Sequence, residues 1–435
     1  MFFNKEAVCD GIELSVMECD KFKAGVLGFS LSIPLSKADV SRSLILSGLL
    51  RRGSLKYPSM AALNRRLDEL YGSYVEIKST HHADTLSLNI VAELLDDRYI
   101  PDGTDVLGGV IEVISEVLLF PVYNQQGVGE RLLEQEIRVA SDNLRAEINN
   151  TRVYAVRRCS EIMRGENSNY PTVKELKELV AATTLEEVEA TRKKLITSAK
   201  LEVFYIGSAK RSDIEKKLCT AFSSHRFANE RRHSLASLLR REYFKEGSEK
   251  MPVSQSKLAM SFSSGICIAK DDDSCYAALM LNEIFGGSAS SKLFVNVREK
   301  MSLCYYCSSS FSIYTGVITV SSGIEADKLQ TVKAAIIEQL DEIKRGDFTD
   351  AELTAAKKSI VHAYRQLYDS PFDLQAFYNG RTLVGINDGI EETVEKLLKV
   401  TREDVIAVAE RITFDAMFFV EGSSTAPMNE EDENE

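Results

Sequence analysis

The chain has no tryptophan, eight prolines and only five histidines in 435 residues, and no uninterrupted apolar run reaches the length of a membrane span. Each shortage excludes something. A membrane-crossing helix needs about 20 consecutive apolar residues, so no membrane role is expected. The histidines are His81, His82, His225, His233 and His362. Only the first two are neighbours, and adjacent residues in a strand point to opposite faces, so they cannot form the one-turn chelate that a helix offers a metal. The eight cysteines are scattered, and only Cys304 and Cys307 form a C-x-x-C, inside a stretch that reads as a strand. With no second such pair and no following histidine, zinc or redox chemistry is not expected there, and reduced thiols of a cytoplasmic protein are. The opening Met1-Phe2-Phe3-Asn4-Lys5-Glu6 lacks the basic, apolar and small-residue order of a secretory signal. Net positive charge is missing too: at −12 the chain does not suit a nucleic-acid binder, whose phosphate affinity comes from clustered Lys and Arg.

Hydrophobic residues make up 44% and charged residues 27%, which suits a folded protein with ample core. The length fits two domains of about 200 residues each. An internal repeat supports that division. Thr184-Leu185-Glu186-Glu187 has the spacing of a capping box and is followed by the apolar strand Leu201–Ile206, then Gly207-Ser208. The same order returns as Thr401-Arg402-Glu403-Asp404, Ala416–Val420 and Gly422-Ser423. Upstream, Phe29, Leu31, Ile33 and Leu35 alternate as in a half-buried strand, Val40–Leu50 reads as a helix, and Ser59 caps another. Tyr74–Thr80 and Thr85–Val91 read as a strand pair. In the second half, Leu258–Phe262 reads as the strand, Ser274–Phe285 and Ser290–Lys300 as helices, and Leu303–Ser309 with Gly316–Ser322 as the pair. The expected plan is α+β, used twice: an N-terminal domain over 1–223, a charged linker over 224–254, a C-terminal domain over 255–423 and a disordered acidic tail over 424–435.

Two segments carry chemistry. In the first, Leu44-Ile45-Leu46-Ser47-Gly48 precedes Gly53 and Lys56-Tyr57-Pro58-Ser59. In the second, Phe285-Gly286-Gly287-Ser288-Ala289-Ser290-Ser291-Lys292-Leu293-Phe294 runs into Arg298-Glu299-Lys300 and Leu303-Cys304-Tyr305. The Gly286-Gly287 turn lacks the G-x-x-x-x-G-K-[ST] pattern of a phosphate loop, and Lys292 stands in the wrong place for one.

Together these segments resemble the insulinase (pitrilysin) family of zinc peptidases, of the zinc-less small-subunit type, over roughly residues 15–423. That family carries H-x-x-E-H on a helix, two histidines binding zinc with a glutamate as general base, then a segment like G-T-x-x-Y-P. Anchored on Gly53 and Lys56–Ser59, the histidine positions fall on Leu44 and Gly48 and the base on Ser47. None of the three offers a usable ligand or base. Glu147 is a counterpart to the third ligand, but the supporting glutamate seven residues earlier falls on Ala140, and a single carboxylate cannot hold a catalytic zinc.

The resemblance implies two homologous domains of the mitochondrial-processing-peptidase-like fold, antiparallel-rich sheets packed with helices and related by a pseudo-twofold. It implies no cofactor on this chain, with zinc carried by an insulinase-family partner, and an unfolded peptide or protein as substrate held in a chamber between two such chains. Arg298 and Tyr305 match the family's substrate-orienting residues, and Gly286 and Gly287 its peptide-contacting loop. A guanidinium can donate paired hydrogen bonds to a peptide carbonyl, and a phenol can steady an oxyanion. A bacterial zinc-less branch of the family is linked to modification of elongation factor P. Two alternatives stay open: a non-catalytic peptide-binding or scaffold subunit, and an autonomous metallopeptidase with unusual ligands.

Overall fold

A computed structural model describes residues 4–9, 11–166, 168–229, 243–268 and 273–423. Its strands are β1 (Asn4–Cys9), β2 (Ile12–Glu18), β3 (Ala24–Pro34), β4 (Tyr74–His82), β5 (Thr85–Leu95), β6 (Leu201–Gly207), β7 (Lys245–Met251), β8 (Ser256–Ser263), β9 (Tyr306–Ser312), β10 (Val317–Ile324) and β11 (Thr413–Gly422). The α-helices of the first 221 residues are α1 (Lys37–Leu50), α2 (Met60–Glu69), α3 (Val106–Leu119), α4 (Gly129–Ala146), α5 (Thr151–Arg164), α6 (Val173–Ala182), α7 (Leu185–Ser198) and α8 (Arg211–Ala221). Then come α9 (Ser274–Asn282), α10 (Leu329–Lys344), α11 (Asp350–Gln366), α12 (Pro371–Leu383), α13 (Ile390–Lys399) and α14 (Arg402–Glu410).

The strands form two mixed sheets, one in the order β1-β2-β6-β3-β5-β4 and one in the order β7-β11-β8-β10-β9. In the first, β2 and β6 run parallel and the other neighbours antiparallel. In the second, β7 and β11 are the parallel pair. Without β1, the two sheets have one order and one set of directions, so the α+β plan is used twice. The capping boxes that mark the repeat both form: Thr184 and Glu187 close theirs at 3.0 and 3.3 Å, Thr401 and Asp404 at 2.8 and 3.2 Å.

The chain divides into two compact units that are not contiguous in sequence. The first takes the described residues of Met1–Arg145, Asn169–Leu235 and Leu367–Gly389; the second takes those of Ala146–Ser168, Ala236–Gln366 and Ile390–Glu435. Helix α5 therefore belongs to the second unit and α12 to the first, an exchange that the contiguous division at 1–223 and 255–423 does not contain. In the first unit α12 packs on β3 and β6. A Cβ added at Gly28 of β3 would lie 2.5 Å from Gln375 Nε2, so this strand must present a small residue where the helix passes. In the second unit α5 packs on β7, β8 and β11, and Cys159 Sγ lies 3.2 Å from Ser261 Oγ.

These helices explain one departure from the sequence pattern. Alternation in β3 predicts burial on one face, yet residues from Gly25 to Ile33 are all buried. The apolar set Leu27, Phe29, Leu31 and Ile33 joins the main core, while Gly28, Ser30 and Ser32 form the other, small-residue face. A second correction concerns the linker expected over 224–254. Residues Lys245–Met251 are strand β7, paired in parallel with β11. As an edge strand it pairs on one side only and carries mixed charge, which hides it from a hydrophobic pattern. The rest of that stretch between residues 230 and 242, with His233, lies outside the described residues, as does the tail 424–435.

Candidate functional site

Helix α1 carries the first candidate. Ser36 caps it by accepting from Asp39 N–H at 3.2 Å, and Asp39 in turn accepts from Lys194 Nζ at 2.7 Å. Asp39 is buried, which raises its pKa, but bonds from Lys194 and Ser36 outweigh this and hold the carboxyl below its ordinary range. Ten of the fourteen residues of α1 are buried, so the helix runs through the core instead of presenting a single apolar stripe.

The three positions where zinc chemistry would sit are committed elsewhere. Leu44 packs against the core. Ser47 is buried and donates its hydroxyl to Leu44 O at 2.8 Å, which turns it into the helix backbone. Gly48 is roofed by a carboxylate: a Cβ there would fall 2.0 Å from Glu136 Oε2. Glu136 comes from α4, is 6% exposed, and accepts from Arg52 Nε at 2.5 Å. An arginine–glutamate pair thus occupies the space beside Gly48, and this donor set does not fit zinc: it has one carboxylate, already paired, and no imidazole. Among the described residues no three His, Cys, Asp or Glu side chains gather to hold a metal ion.

The carboxylate beside Gly48 comes from a turn of α4 upstream of the two positions that the resemblance marks, Ala140 and Glu147. Ala140 is buried there without a donor, and Glu147 lies in the second unit, paired with Arg157. Glu136 was missed, although a signal exists. Leu133, Glu136, Ala140 and Leu144 share the buried face of α4, and a charged residue on an apolar stripe calls for a buried partner. Arg52 is that partner. The segment behind it is fixed by Gly53, whose φ of 129° and close approach to Tyr57 O admit only glycine, and by Tyr57 and Lys56, which both bond Glu112 of α3. His81 and His82 are the last two residues of β4; His81 stacks on Tyr170 at 4.0 Å, and burial holds His82 below its ordinary range.

The second candidate lies in the second unit. Helix α9 continues into a π-helix over Glu283–Gly287, and after a short turn the chain forms another over Leu293–Lys300. Such widened turns are uncommon and often mark functional positions. Gly286 is buried, with Ser309 N of β9 only 2.8 Å from where a Cβ would stand, whereas Gly287 is exposed. Close approach to β9 is what requires glycine at 286. Lys292 is buried and its charge is met by Glu342 at 2.7 Å.

Arg298 and Tyr305 have no such commitments. The Arg298 guanidinium lies over the Phe294 ring at 4.6 Å, its Nε is 3.6 Å from Glu299 Oε1, and its side chain is 39% exposed. Tyr305 is 59% exposed and lines a cleft of about 400 Å³ with Gln255, Ser256, Glu325 and Asp327. Its backbone N–H is anchored on Gly323 O at 2.9 Å, as Leu303 N–H is on Val297 O at 3.1 Å. Both side chains are partly exposed, and the backbone around them is held by these bonds. No hydrogen bond joins them to each other among the described residues.

Comparison with known proteins agrees with this geometry. The family model described as "Peptidase M16 inactive domain" matches residues 182–360. "Probable inactive metalloprotease YmfF" of Bacillus subtilis is 26% identical over 421 residues, 96% of this chain and 97% of that one. "Uncharacterized zinc protease YmxG" of the same organism is 31% identical over 141 residues, 32% of this chain and 34% of its own. Among solved structures, a conserved protein from Enterococcus faecalis superposes with a TM-score of 0.87 at 24% identity, over 98% of this chain and 100% of that one. A peptidase M16 inactive domain from Pseudomonas fluorescens gives 0.78 at 14% identity, over 98% and 100%. The doubled fold and the donor-poor α1 are what similarity to these inactive metallopeptidase homologues leads one to expect. The chain is similar to the M16 inactive domain over residues 182–360 and to the probable inactive metalloprotease YmfF over nearly its whole length.

Proposed function

We propose that the chain is the non-catalytic partner of a zinc-bearing insulinase-family subunit, to which it contributes peptide binding and orientation. The observation that carries this reading is the contrast between Gly48, sealed by the Glu136–Arg52 pair, and Arg298 with Tyr305, both partly exposed. In such a pair the guanidinium would grip a backbone carbonyl of an unfolded peptide and the phenol would donate to an oxyanion at the scissile carbonyl, while a zinc held by the partner would supply the activated water. No helix among the described residues is long and apolar enough to cross a membrane. We place the pair in the cytoplasm, and in its narrowest form the reading ties it to the modification of elongation factor P.

The test is to mix the purified chain with a subunit carrying intact H-x-x-E-H, verify assembly by gel filtration and follow cleavage of an unstructured peptide. Arg298→Ala and Tyr305→Phe should each lower the rate about a hundredfold while leaving the complex assembled, because a donor aimed at the transition state is removed. Full activity in an intact complex would make the chain a scaffold instead. Stoichiometric zinc and peptidase activity in the isolated chain would make it an autonomous enzyme.

A further inference from the structure

Lys292, which stands in the wrong place for a phosphate loop, has another use in the fold. It is 5% exposed and directly precedes the second π-helix. Its ammonium donates to Glu342 Oε2 of α10 at 2.7 Å, with Glu352 of α11 3.9 Å away. The other carboxylate oxygen of Glu342 accepts from Gln339 Nε2 at 3.2 Å, and Gln339 Oε1 accepts from Asn296 Nδ2 at 2.5 Å. Asn296 Oδ1 in turn accepts from Lys300 Nζ at 2.9 Å. Donor and acceptor therefore alternate without a break from Lys292 to Lys300, and Gln339, in the middle, is 1% exposed. This polar ladder ties positions 292 and 296 to two residues of α10 that are themselves bonded to each other.

The π register is uncommon, so eight residues in it call for a cause outside the helix. Val295 N–H, near the start, still reaches four residues back, to Ser291 O at 2.9 Å, whereas Met301 N–H reaches five, to Asn296 O at 2.9 Å. Leu293 and Val297 are fully buried, but apolar burial is non-directional and does not by itself choose between two registers. The ladder is directional. Turning Asn296 away would leave the Gln339 amide without its donor, at a place closed to water, where an unmet polar group is costly. Arg298 follows Asn296 by two residues, about half a turn. Whatever fixes Asn296 thus fixes the direction in which Arg298 leaves the helix.

We infer that the ladder from Lys292 through Glu342 and Gln339 to Asn296 holds Leu293–Lys300 in its widened register and so positions Arg298. Lys292 and Gln339 are then positioning residues for the peptide-orienting site. What this does for a peptide rests on the role proposed above; the hold on the register does not. Without the ladder the segment relaxes toward the α register, and the setting of the Arg298 guanidinium against the Phe294 ring, 4.6 Å away here, changes.

The test uses the full chain without a partner. Amide hydrogen exchange is compared between wild type, Gln339→Met and the double variant Lys292→Met with Glu342→Leu, which removes both charges of the buried pair together and leaves neither unpaired. The Arg298 Nε–H signal in the proton–nitrogen NMR spectrum, assigned by its loss in Arg298→Ala, reports the setting of the guanidinium. In both variants exchange over residues 297–303 should speed at least about tenfold and the Arg298 signal should move, while exchange in β8 and β10 stays as in wild type. Lys292→Arg, which keeps the charge, should behave as wild type. The inference is overturned if exchange over 297–303 and the Arg298 signal are unchanged. It is also overturned if exchange speeds equally throughout the unit with the signal in place, which is what a merely stabilising role predicts. Gln339→Met is close to the native side chain in shape, so it decides the matter even if the double variant folds poorly. In the pair reconstituted with an H-x-x-E-H subunit, Gln339→Met should lower kcat about tenfold with KM unchanged and add nothing to Arg298→Ala. Additive losses would remove Gln339 from the positioning of Arg298. An inactive wild-type pair would count against the peptide-orienting role alone, since exchange and the Arg298 signal judge the ladder separately.

Discussion

Two arginines, each beside a segment that matches an insulinase-family motif, have opposite surroundings. Arg52 is locked onto a carboxylate that is 6% exposed and stands where an imidazole would be needed; Arg298 lies over an aromatic ring with 39% of its side chain in solvent. The first region has been closed with ordinary core materials: a leucine, a serine hydroxyl bonded to its own helix, a glycine and an ion pair. The second keeps an arginine and a tyrosine partly exposed beside two π-helices and a strand. One motif-matching segment can be closed with core materials while another in the same chain keeps an arginine and a tyrosine partly exposed.

The largest effect should come from forcing chemistry back into the closed region. The triple variant Leu44→His, Ser47→Glu, Gly48→His removes a packed leucine and drives a side chain into Glu136. Overpacking costs about 1–3 kcal/mol and the lost leucine burial about 1–2 more, so denaturant unfolding should show a loss of about 3 kcal/mol or greater. Elemental analysis should still find no stoichiometric zinc, since Glu136 is engaged by Arg52. One zinc per chain would break the comparison by showing that the site is merely empty.

Next in size is Arg52→Ala, which leaves Glu136 buried without its cation. Because Arg52 is itself partly exposed, the cost should be about 2–3 kcal/mol, below that of a fully buried pair. Adding Glu136→Gln to that variant should recover part of it, and a double-mutant cycle would measure the coupling. Arg298→Ala should change stability by no more than about 0.5 kcal/mol, as expected for a surface side chain without strong partners. Equal losses for the two arginines would erase the distinction drawn between the regions.

The smallest effect is one of pH. Asp39, at the start of α1, binds its proton less readily in the folded protein than its ordinary 3.8. Between the folded and unfolded values the unfolded chain therefore holds more protons, so stability is fully present above about pH 4 and falls as acid carries the pH down through the folded value. Asp39→Asn should flatten this part of the stability profile. An unchanged acid limb would show that the Lys194 bond is not what ties α1 to α7.

Much of the fold was legible because its signals are local. The strand and helix order of both halves follows from periodicity, and the capping boxes at Thr184 and Thr401 depend on residues three apart. What escaped depends on distant neighbours. β7 is a charged edge strand that is stabilised by pairing with β11, far along the chain. β3 is buried on both faces only because α12, more than 300 residues later, covers its small-residue side. The candidate sites divide in the same way. The absence of ligands at Leu44, Ser47 and Gly48 can be read from residue type alone, whereas the place of Glu136 beside Gly48 cannot.

The sequence by itself determined that this is an α+β chain with one plan used twice and without zinc ligands on its first helix, because hydrophobic spacing and side-chain chemistry are properties of short segments. Only the tertiary structure decided which helix covers which sheet, what fills the space beside Gly48, and which polar side chains stay partly exposed. Burial and pairing join residues separated by tens to hundreds of positions, and no local pattern records which of the available partners reaches a given carboxylate, thiol or guanidinium first.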